Sequence, residues 1–316
     1  MAAICWTLSE DFAGMEAQTR GLAEALGYVP TIKRFKPRAP WKYLPNALWF
    51  NALAAPGPGG DRLEPPWPRV LVSCGRKAVP LALANRAAGG TRCIHIQDPH
   101  TNPGRFDMVV VPRHDGLSGD NVFVTRGAVH PVTPAKLAAA ARVFAPRLAH
   151  LKRPLVAVLV GGPTNRYSMT PDITEILGSH LAAMAASSGA SLLVTASRRT
   201  GADNLAALRR GLAGAPADIW DGTGDNPYLG YLALADAIVV TADSVSMTSE
   251  ACSTLKPVYV YDLPGGSRRF QQFHESLRQD GVTRRFAGTL EFWSYAPLDD
   301  TAKAAAEIRR RLTLPD

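Results

Sequence analysis

The chain has 316 residues, 46% of them hydrophobic and 20% charged, with its 27 Gly and 25 Pro scattered rather than clustered. This composition is globular, it is long enough for two cores, and it excludes a disordered chain. A formal net charge of +8 favours anionic partners, among which nucleotide phosphates, acidic lipids and nucleic acid all qualify on charge alone.

The opening MAAICWTLSE has no basic region followed by an apolar stretch, and no apolar run reaches the roughly 18 residues that a membrane span needs. A cytoplasmic protein is expected, either soluble or peripheral on the inner face of the membrane. Cys5, Cys74, Cys93 and Cys252 sit far apart in or beside apolar runs and form no CxxC pair, so buried free thiols are expected rather than a zinc site or a disulfide framework.

In the first half, strands are predicted at Ala2–Leu8, Val29–Phe35, Arg69–Cys74, Arg92–Gln97, Met108–Val111 and Val122–Thr125, with helices at Met15–Leu26 and Ala78–Ala88. Short β-rich runs alternating with helical spacing indicate a mostly parallel sheet with crossover helices. An Ala-rich helix over 134–150 ends in the joint Lys152-Arg153-Pro154, where a domain boundary is expected, giving domains 1–150 and 151–316. The pattern then restarts with strands at Leu155–Val160, Ser191–Thr195, Ala217–Trp220, Ala237–Thr241 and Pro257–Tyr261. Helices are predicted at about 171–187, 201–213, 227–234, 246–255 and 268–280, and a last one at Thr301–Leu312. Two βαβ series of similar size predict an α/β fold of two Rossmann-like domains facing across a cleft. Ligands of such sheets sit beyond the carboxyl ends of the strands, which directs attention to the strand-to-helix loops.

Four loops of the second half qualify. Gly161-Gly162-Pro163-Thr164 follows a strand and is either a tight turn or a place where backbone approaches a phosphate or ribose. Ser197 and Arg198 stand at the next strand end, as a helix start with solvated arginines or as phosphate ligands. In Gly224-Asp225-Asn226-Pro227-Tyr228, Asn226 is a cap candidate, and Tyr228 suits either the core or stacking on a base. The richest segment is Val239–Ala251: Asp243, Ser244 and Ser246 form a hydroxyl-rich turn into a helix whose positive end suits a diphosphate, and Glu250 can accept from a ribose or sugar hydroxyl. Capping by Asp243 or Ser244, with Glu250 complementing the helix dipole, is the plainer alternative.

In the first half, residues 9–18 are read as the first strand-to-helix loop, without GxGxxG. Its Glu10 and Asp11 are candidate bases for an acceptor hydroxyl, preferred over Glu16, which is expected inside the helix. His100, which closes HIQDPH, and His114, within PRHD, are further candidates as base or ligand. Their spacing matches no metal pattern and Asp-x-Asp is absent, so no metal or other cofactor is expected. Lys33-Arg34-Phe35-Lys36-Pro37-Arg38, followed by Trp41-Lys42-Tyr43 and Leu48-Trp49-Phe50, mixes cations with aromatics in a way that suits either an anionic bilayer surface or a core with a basic rim.

Taken together, residues 14–18, IHIQDPH, VPRHD, TRGAVH, TASRRT, DNPYLGYLALAD and VVTADSVSMTSEA resemble the bacterial relatives of the plant mitochondrial fission family named for elongated mitochondria (ELM). That family looks distantly like GT-B glycosyltransferases such as MurG. The resemblance implies a donor nucleotide sugar in the C-terminal domain, lined by Gly162, Thr164, Ser197, Arg198, Asn226, Ser244, Ser246 and Glu250. It implies an acceptor in the N-terminal one, on the side of Gly14 and Gln18. The glycine-rich loop that begins such transferases is missing here.

The expected function is a metal-independent, inverting glycosyltransferase that moves a sugar from a nucleoside diphosphate to an envelope or lipid-linked glycan acceptor. Two alternatives are carried. One is a non-catalytic peripheral membrane scaffold, as the plant member of the family implies, and the other is a nucleotide-sugar epimerase. Nucleic acid is not an expected partner, because the basic residues form no recognised motif.

Overall fold

A computed structural model describes residues 4–314, so Ala2 and Ala3 of the first predicted strand lie outside the described residues. The first series of elements comprises β1 (Cys5–Glu10), α1 (Ala13–Ala25), β2 (Thr31–Phe35), β3 (Val70–Cys74), α2 (Ala78–Gly89), β4 (Arg92–Ile96), β5 (Met108–Pro112) and β6 (Val122–Thr125). The second runs through α3 (Pro134–Leu148), β7 (Leu155–Val160), α4 (Pro171–Ser188), β8 (Ser191–Ala196), α5 (Ala202–Gly211), β9 (Ala217–Ile219) and α6 (Tyr228–Leu234). It continues with β10 (Ala237–Thr241), α7 (Val245–Cys252), β11 (Val258–Tyr261), α8 (Arg268–Gln279) and β12 (Thr283–Arg285), and the chain closes with α9 (Asp300–Arg311).

The strands form two parallel sheets of six, ordered β2-β1-β3-β4-β5-β6 and β12-β11-β10-β7-β8-β9. β12, Thr-Arg-Arg, carries no apolar signal and escapes the sequence pattern. β7, LVAVLV, is buried at every residue, as a strand covered on both faces must be. The second core, Val156, Leu159, Leu177, Leu193, Ile238 and Val260 among others, forms around it.

The first sheet shows the period-2 alternation of strand side chains. Trp6, Leu8, Leu71, Val109 and Val111 face α2 and the segment carrying Trp41 and Trp49. Cys5, Val70, Val72, Ile94 and Val110 face the other way, where Leu22 of α1 and Ala304, Ala305 and Ile308 of α9 cover them. Trp41 and Trp49 are thus core, 6% and 8% exposed, with Lys77 over the Trp49 ring at 5.4 Å. Tyr43, Leu48 and Phe50 are the exposed apolar side chains of that segment.

The compact units are Met1–Pro131 with Asp299–Asp316, and Val132–Leu298. The division expected at 150 therefore moves. α3 belongs to the second unit, where Phe144 packs so closely on Gly230 that a Cβ there would meet the ring at 2.5 Å. α9 returns to the first unit: Asp300 accepts from the N–H groups of Arg126 (3.0 Å) and Gly127 (2.7 Å), and Thr301 from that of His130 (2.9 Å). The four cysteines are in no disulfide and are buried. Among the described residues, no helix is long and apolar enough to cross a membrane.

Candidate functional site

The strand order of the second sheet reverses between β7 and β10, and a ligand of such a sheet binds outside the carboxyl ends of the strands at that switch point. Gly161 and Gly162 follow β7 and Asp243 and Ser244 follow β10, so four of the expected donor-site residues meet at this edge. The centre of the meeting is the carboxylate of Asp243, whose side chain is fully buried. Its Oδ1 accepts from the Thr241 hydroxyl at 2.7 Å, and its Oδ2 from the Gly162 N–H at 3.0 Å and the Arg199 guanidinium at 2.8 Å.

The Gly161 N–H donates to the Thr241 hydroxyl at 2.8 Å. Both N–H groups of the Gly-Gly turn are thus engaged within the protein, and the turn contributes room rather than donors. A Cβ on Gly161 would lie 2.1 Å from the Asp243 carboxylate, and one on Gly162 2.4 Å from the backbone of Arg199.

Arg199, passed over in the sequence in favour of its neighbour Arg198, is the arginine that ties the loops. Besides Asp243 it donates to the Gly162 carbonyl at 3.0 Å. Arg198 is exposed. Ser197 turns inward, donating to the Gly161 carbonyl at 2.9 Å, and the Thr200 hydroxyl donates to the same carbonyl. Thr164 folds its own loop, accepting from the N–H groups of Arg166 (3.1 Å) and Tyr167 (3.0 Å).

Ser244 caps α7, its hydroxyl accepting from the Met247 N–H at 3.3 Å, and Ser246 lies half-buried in the first turn. The second half of that helix, Thr248 to Cys252, is buried all round. It includes Glu250, 6% exposed, whose Oε2 accepts from the Tyr228 hydroxyl. Burial, reinforced by the Glu250 charge, pushes the Tyr228 hydroxyl well above the ordinary tyrosine range. The hydroxyl is therefore a fixed donor, spent on Glu250. Asn226 is exposed and accepts from the Tyr228 N–H at 3.0 Å, which sets the entry to α6.

The first unit gathers a second polar edge at the ends of its parallel strands. Glu10 is the last residue of β1, and burial raises its carboxyl, with Lys77 acting the other way. Asp11 is exposed. Gly14 and Gln18 lie on α1, not in a loop, and Gln18 is buried. The strand runs on to Glu10 and the helix starts at Ala13, so the expected loop of residues 9–18 shrinks to Asp11-Phe12. Glu16 is held by Arg34 across two hydrogen bonds. His100 follows β4, its Nδ1 3.1 Å from Asp98 Oδ2. His114 lies in a 3-10 turn after β5, its side chain 7% exposed and its Nε2 3.4 Å from Asp115 Oδ1. Among the described residues, no group of three or more His, Cys, Asp or Glu is placed to hold a metal.

Two parallel α/β sheets in one chain, with polar loops at their carboxyl edges, define a protein of the GT-B fold. Solved structures of that fold are similar along the whole chain. Acinetobacter baumannii MurG matches with a TM-score of 0.53 at 13% identity, over 98% of this chain and 100% of that one. The UDP-GlcNAc 2-epimerase of Methanocaldococcus jannaschii, in complex with UDP-GlcNAc and UDP, matches with 0.54 at 11%, over 98% and 99%.

The model of the family described as mitochondrial fission ELM1 matches residues 13–312, and the chain belongs to that family. The mitochondrial fission protein ELM1 of Arabidopsis thaliana is 38% identical over 274 residues, which cover 78% of this chain and 64% of the plant protein. The chain thus spans less than two thirds of that relative's length.

Proposed function

We propose that the protein is a glycosyltransferase, probed best at its second unit, which takes a nucleoside-diphosphate sugar as donor and passes the sugar to an envelope or lipid-linked glycan. The observation that carries this reading is the switch-point edge. There the capped start of α7 stands beside a glycine turn with no side chains in the way, and a buried carboxylate, Glu250, is held by Tyr228.

With the Gly161 and Gly162 N–H groups already bonded, charge on the diphosphate falls to the positive end of α7 and the hydroxyls of Ser244 and Ser246. Glu250 suits the hydroxyls of a ribose. The likeness to an epimerase solved with UDP-GlcNAc and UDP supports a uridine nucleotide as the first donor to try. The first unit would serve the acceptor, with Glu10, Asp11, His100 and His114 as candidates to take its proton. Inversion and independence of metal are part of the proposal.

A panel of nucleoside diphosphates and their sugar conjugates, screened by thermal shift and calorimetry, tests it, because a ligand of the folded state raises the melting temperature by mass action. Glu250→Ala and Ser244→Ala should weaken a hit; unchanged binding in folded variants would sink the donor site. A nucleotide sugar converted to its epimer without any acceptor would make the protein an epimerase. Silence across the panel would favour a second reading, a peripheral scaffold, which draws support from the exposed Tyr43, Leu48 and Phe50 beside Lys42 and from the name of the plant relative.

A further inference from the structure

We propose that the second unit carries a carboxylate pocket at the start of α8, formed by Tyr167, Arg268 and the helix end, and that it selects an acidic donor sugar of the hexuronic class; the inference rests on the glycosyltransferase reading. The pocket lies beyond β11, the neighbour of β10 in the sheet, so it is one strand end away from the turn assigned to the diphosphate.

Two loops are laced together there. The Gly266 N–H donates to the Arg166 carbonyl at 2.6 Å, the Ser168 N–H to the Pro264 carbonyl at 2.9 Å, and Tyr167 forms an antiparallel bridge with Gly265. Gly265 and Gly266 take φ of +103° and +108°, and a Cβ on Gly265 would lie 2.3 Å from the Arg166 carbonyl oxygen, so the crossing requires glycine. The ring of Tyr167, a residue 5% exposed, meets Phe270 of α8 edge to face with centroids 5.3 Å apart.

This packing brings the Tyr167 hydroxyl over Gly266, 3.3 Å from where a Cβ would stand. Among the described residues, that hydroxyl has no hydrogen-bond partner. The other tyrosines of the unit, Tyr228, Tyr231, Tyr259, Tyr261 and Tyr295, all bond theirs within it. Burial, reinforced by the charges of Asp262 and Asp243, raises the Tyr167 hydroxyl above its ordinary value, so it stands as a neutral donor.

The helix end supplies the rest. The first turn of α8 holds Arg268 and Arg269 and no acid, which sets cations at the positive end of the helix dipole until an anion answers them. The Ser267 hydroxyl caps the helix, accepting from the Phe270 N–H at 3.4 Å. Among the described residues, nothing accepts from the N–H groups of Ser267 and Arg268, and successive open N–H groups make an anion-binding concavity. Arg268 is exposed and makes no ion pair among the described residues. Two adjacent N–H groups, a guanidinium fork and a phenol suit the two coplanar oxygens of a carboxylate. The acids nearby are already paired, Asp243 with Arg199 at 2.8 Å and Asp262 with Arg285 at 3.6 Å. With the diphosphate assigned to α7, the anion left for α8 is one borne by the sugar, and a hexuronic acid has a carboxylate where a hexose has its hydroxymethyl group.

UDP-glucuronic acid and UDP-glucose differ at that group alone, so calorimetry of the full-length protein with the two, and with UDP, tests the inference. Wild type should bind UDP-glucuronic acid about tenfold or more tightly than UDP-glucose. Tyr167→Phe deletes a hydroxyl that bonds to nothing else described in the protein, so it keeps its fold. It should weaken UDP-glucuronic acid by about 10–100-fold and leave UDP and UDP-glucose unchanged. Arg268→Gln should act in the same way, with Arg268→Lys keeping part of the preference. Equal affinity of wild type for the two sugars, or a Tyr167→Phe that weakens all three ligands alike, would overturn the pocket while the donor reading stands. A wild type that binds none of the three overturns both.

Discussion

The hydroxyl of Tyr228, at the start of α6, donates to the carboxylate of Glu250 on α7, so a residue that suits base stacking in the sequence is instead a support for the acid two loops away. Tyr228→Phe removes the donor and leaves a buried carboxylate oxygen without it, a loss of about 1–3 kcal/mol. Denaturant unfolding should show that loss. Calorimetry should show weaker nucleotide binding in Tyr228→Phe than in wild type, because Glu250 is no longer held. Equal affinity would remove Tyr228 from the site.

Asp243 is the common acceptor for three donors, and its removal leaves Thr241, the Gly162 N–H and Arg199 without it. Asp243→Ala should destabilise the protein by about 3 kcal/mol, with Arg199→Lys milder because one contact to Asp243 can survive. Urea unfolding curves of the two variants give the comparison directly. A near-neutral Asp243→Ala would mean that the three donors find water instead.

Gly161→Ala and Gly162→Ala meet different obstacles. The first pushes a methyl group against the Asp243 carboxylate, the second against the Arg199 backbone. Both should lower stability, by about 1–3 kcal/mol for the overpacking alone. Gly162→Ala should be the worse, since backbone yields less readily than a side chain. Melting temperatures rank them.

The buried His95 predicts an acid limb of stability. Its Nδ1 lies 2.9 Å from the Ser73 hydroxyl, its ring stacks on Phe106, and burial lowers it to about 3. The unfolded chain takes up a proton on this imidazole below about pH 6.5, whereas the native protein does so only near pH 3. Between those values protons favour the unfolded state, so stability present above pH 6.5 is lost as the pH falls. In His95→Phe the difference in unfolding free energy between pH 7 and pH 4.5 should shrink by roughly 2–3 kcal/mol. An unchanged difference would mean that water reaches the ring.

Trp41→Ser and Trp49→Ser should unfold or destabilise the first unit, by about 3–5 kcal/mol each, because both rings are core. Binding to anionic vesicles is tested instead with Tyr43→Ser and Phe50→Ser, whose side chains are 76% and 61% exposed. Vesicle co-sedimentation that falls in those two variants, in folded protein, would support the bilayer face; no change would remove it.

Much of this molecule was legible in its sequence because burial on both faces leaves a local mark. Runs such as LVAVLV and AIVVT announce covered parallel strands, helical spacing between them announces the crossovers, and the hydroxyl-rich turn after β10 announces a helix start at a strand end. The family motifs lie in those same loops. What the sequence cannot carry is the neighbour of each strand. The order β10-β7 makes Gly162 and Asp243 partners across 81 residues, and only that pairing puts a carboxylate against the Gly-Gly turn and selects Arg199 over Arg198. The same holds for α9, whose apolar stripe shows that it must cover something. That it covers the first sheet beside α1, rather than the domain that precedes it in the chain, was decided by an exposed sheet face that tertiary structure alone creates.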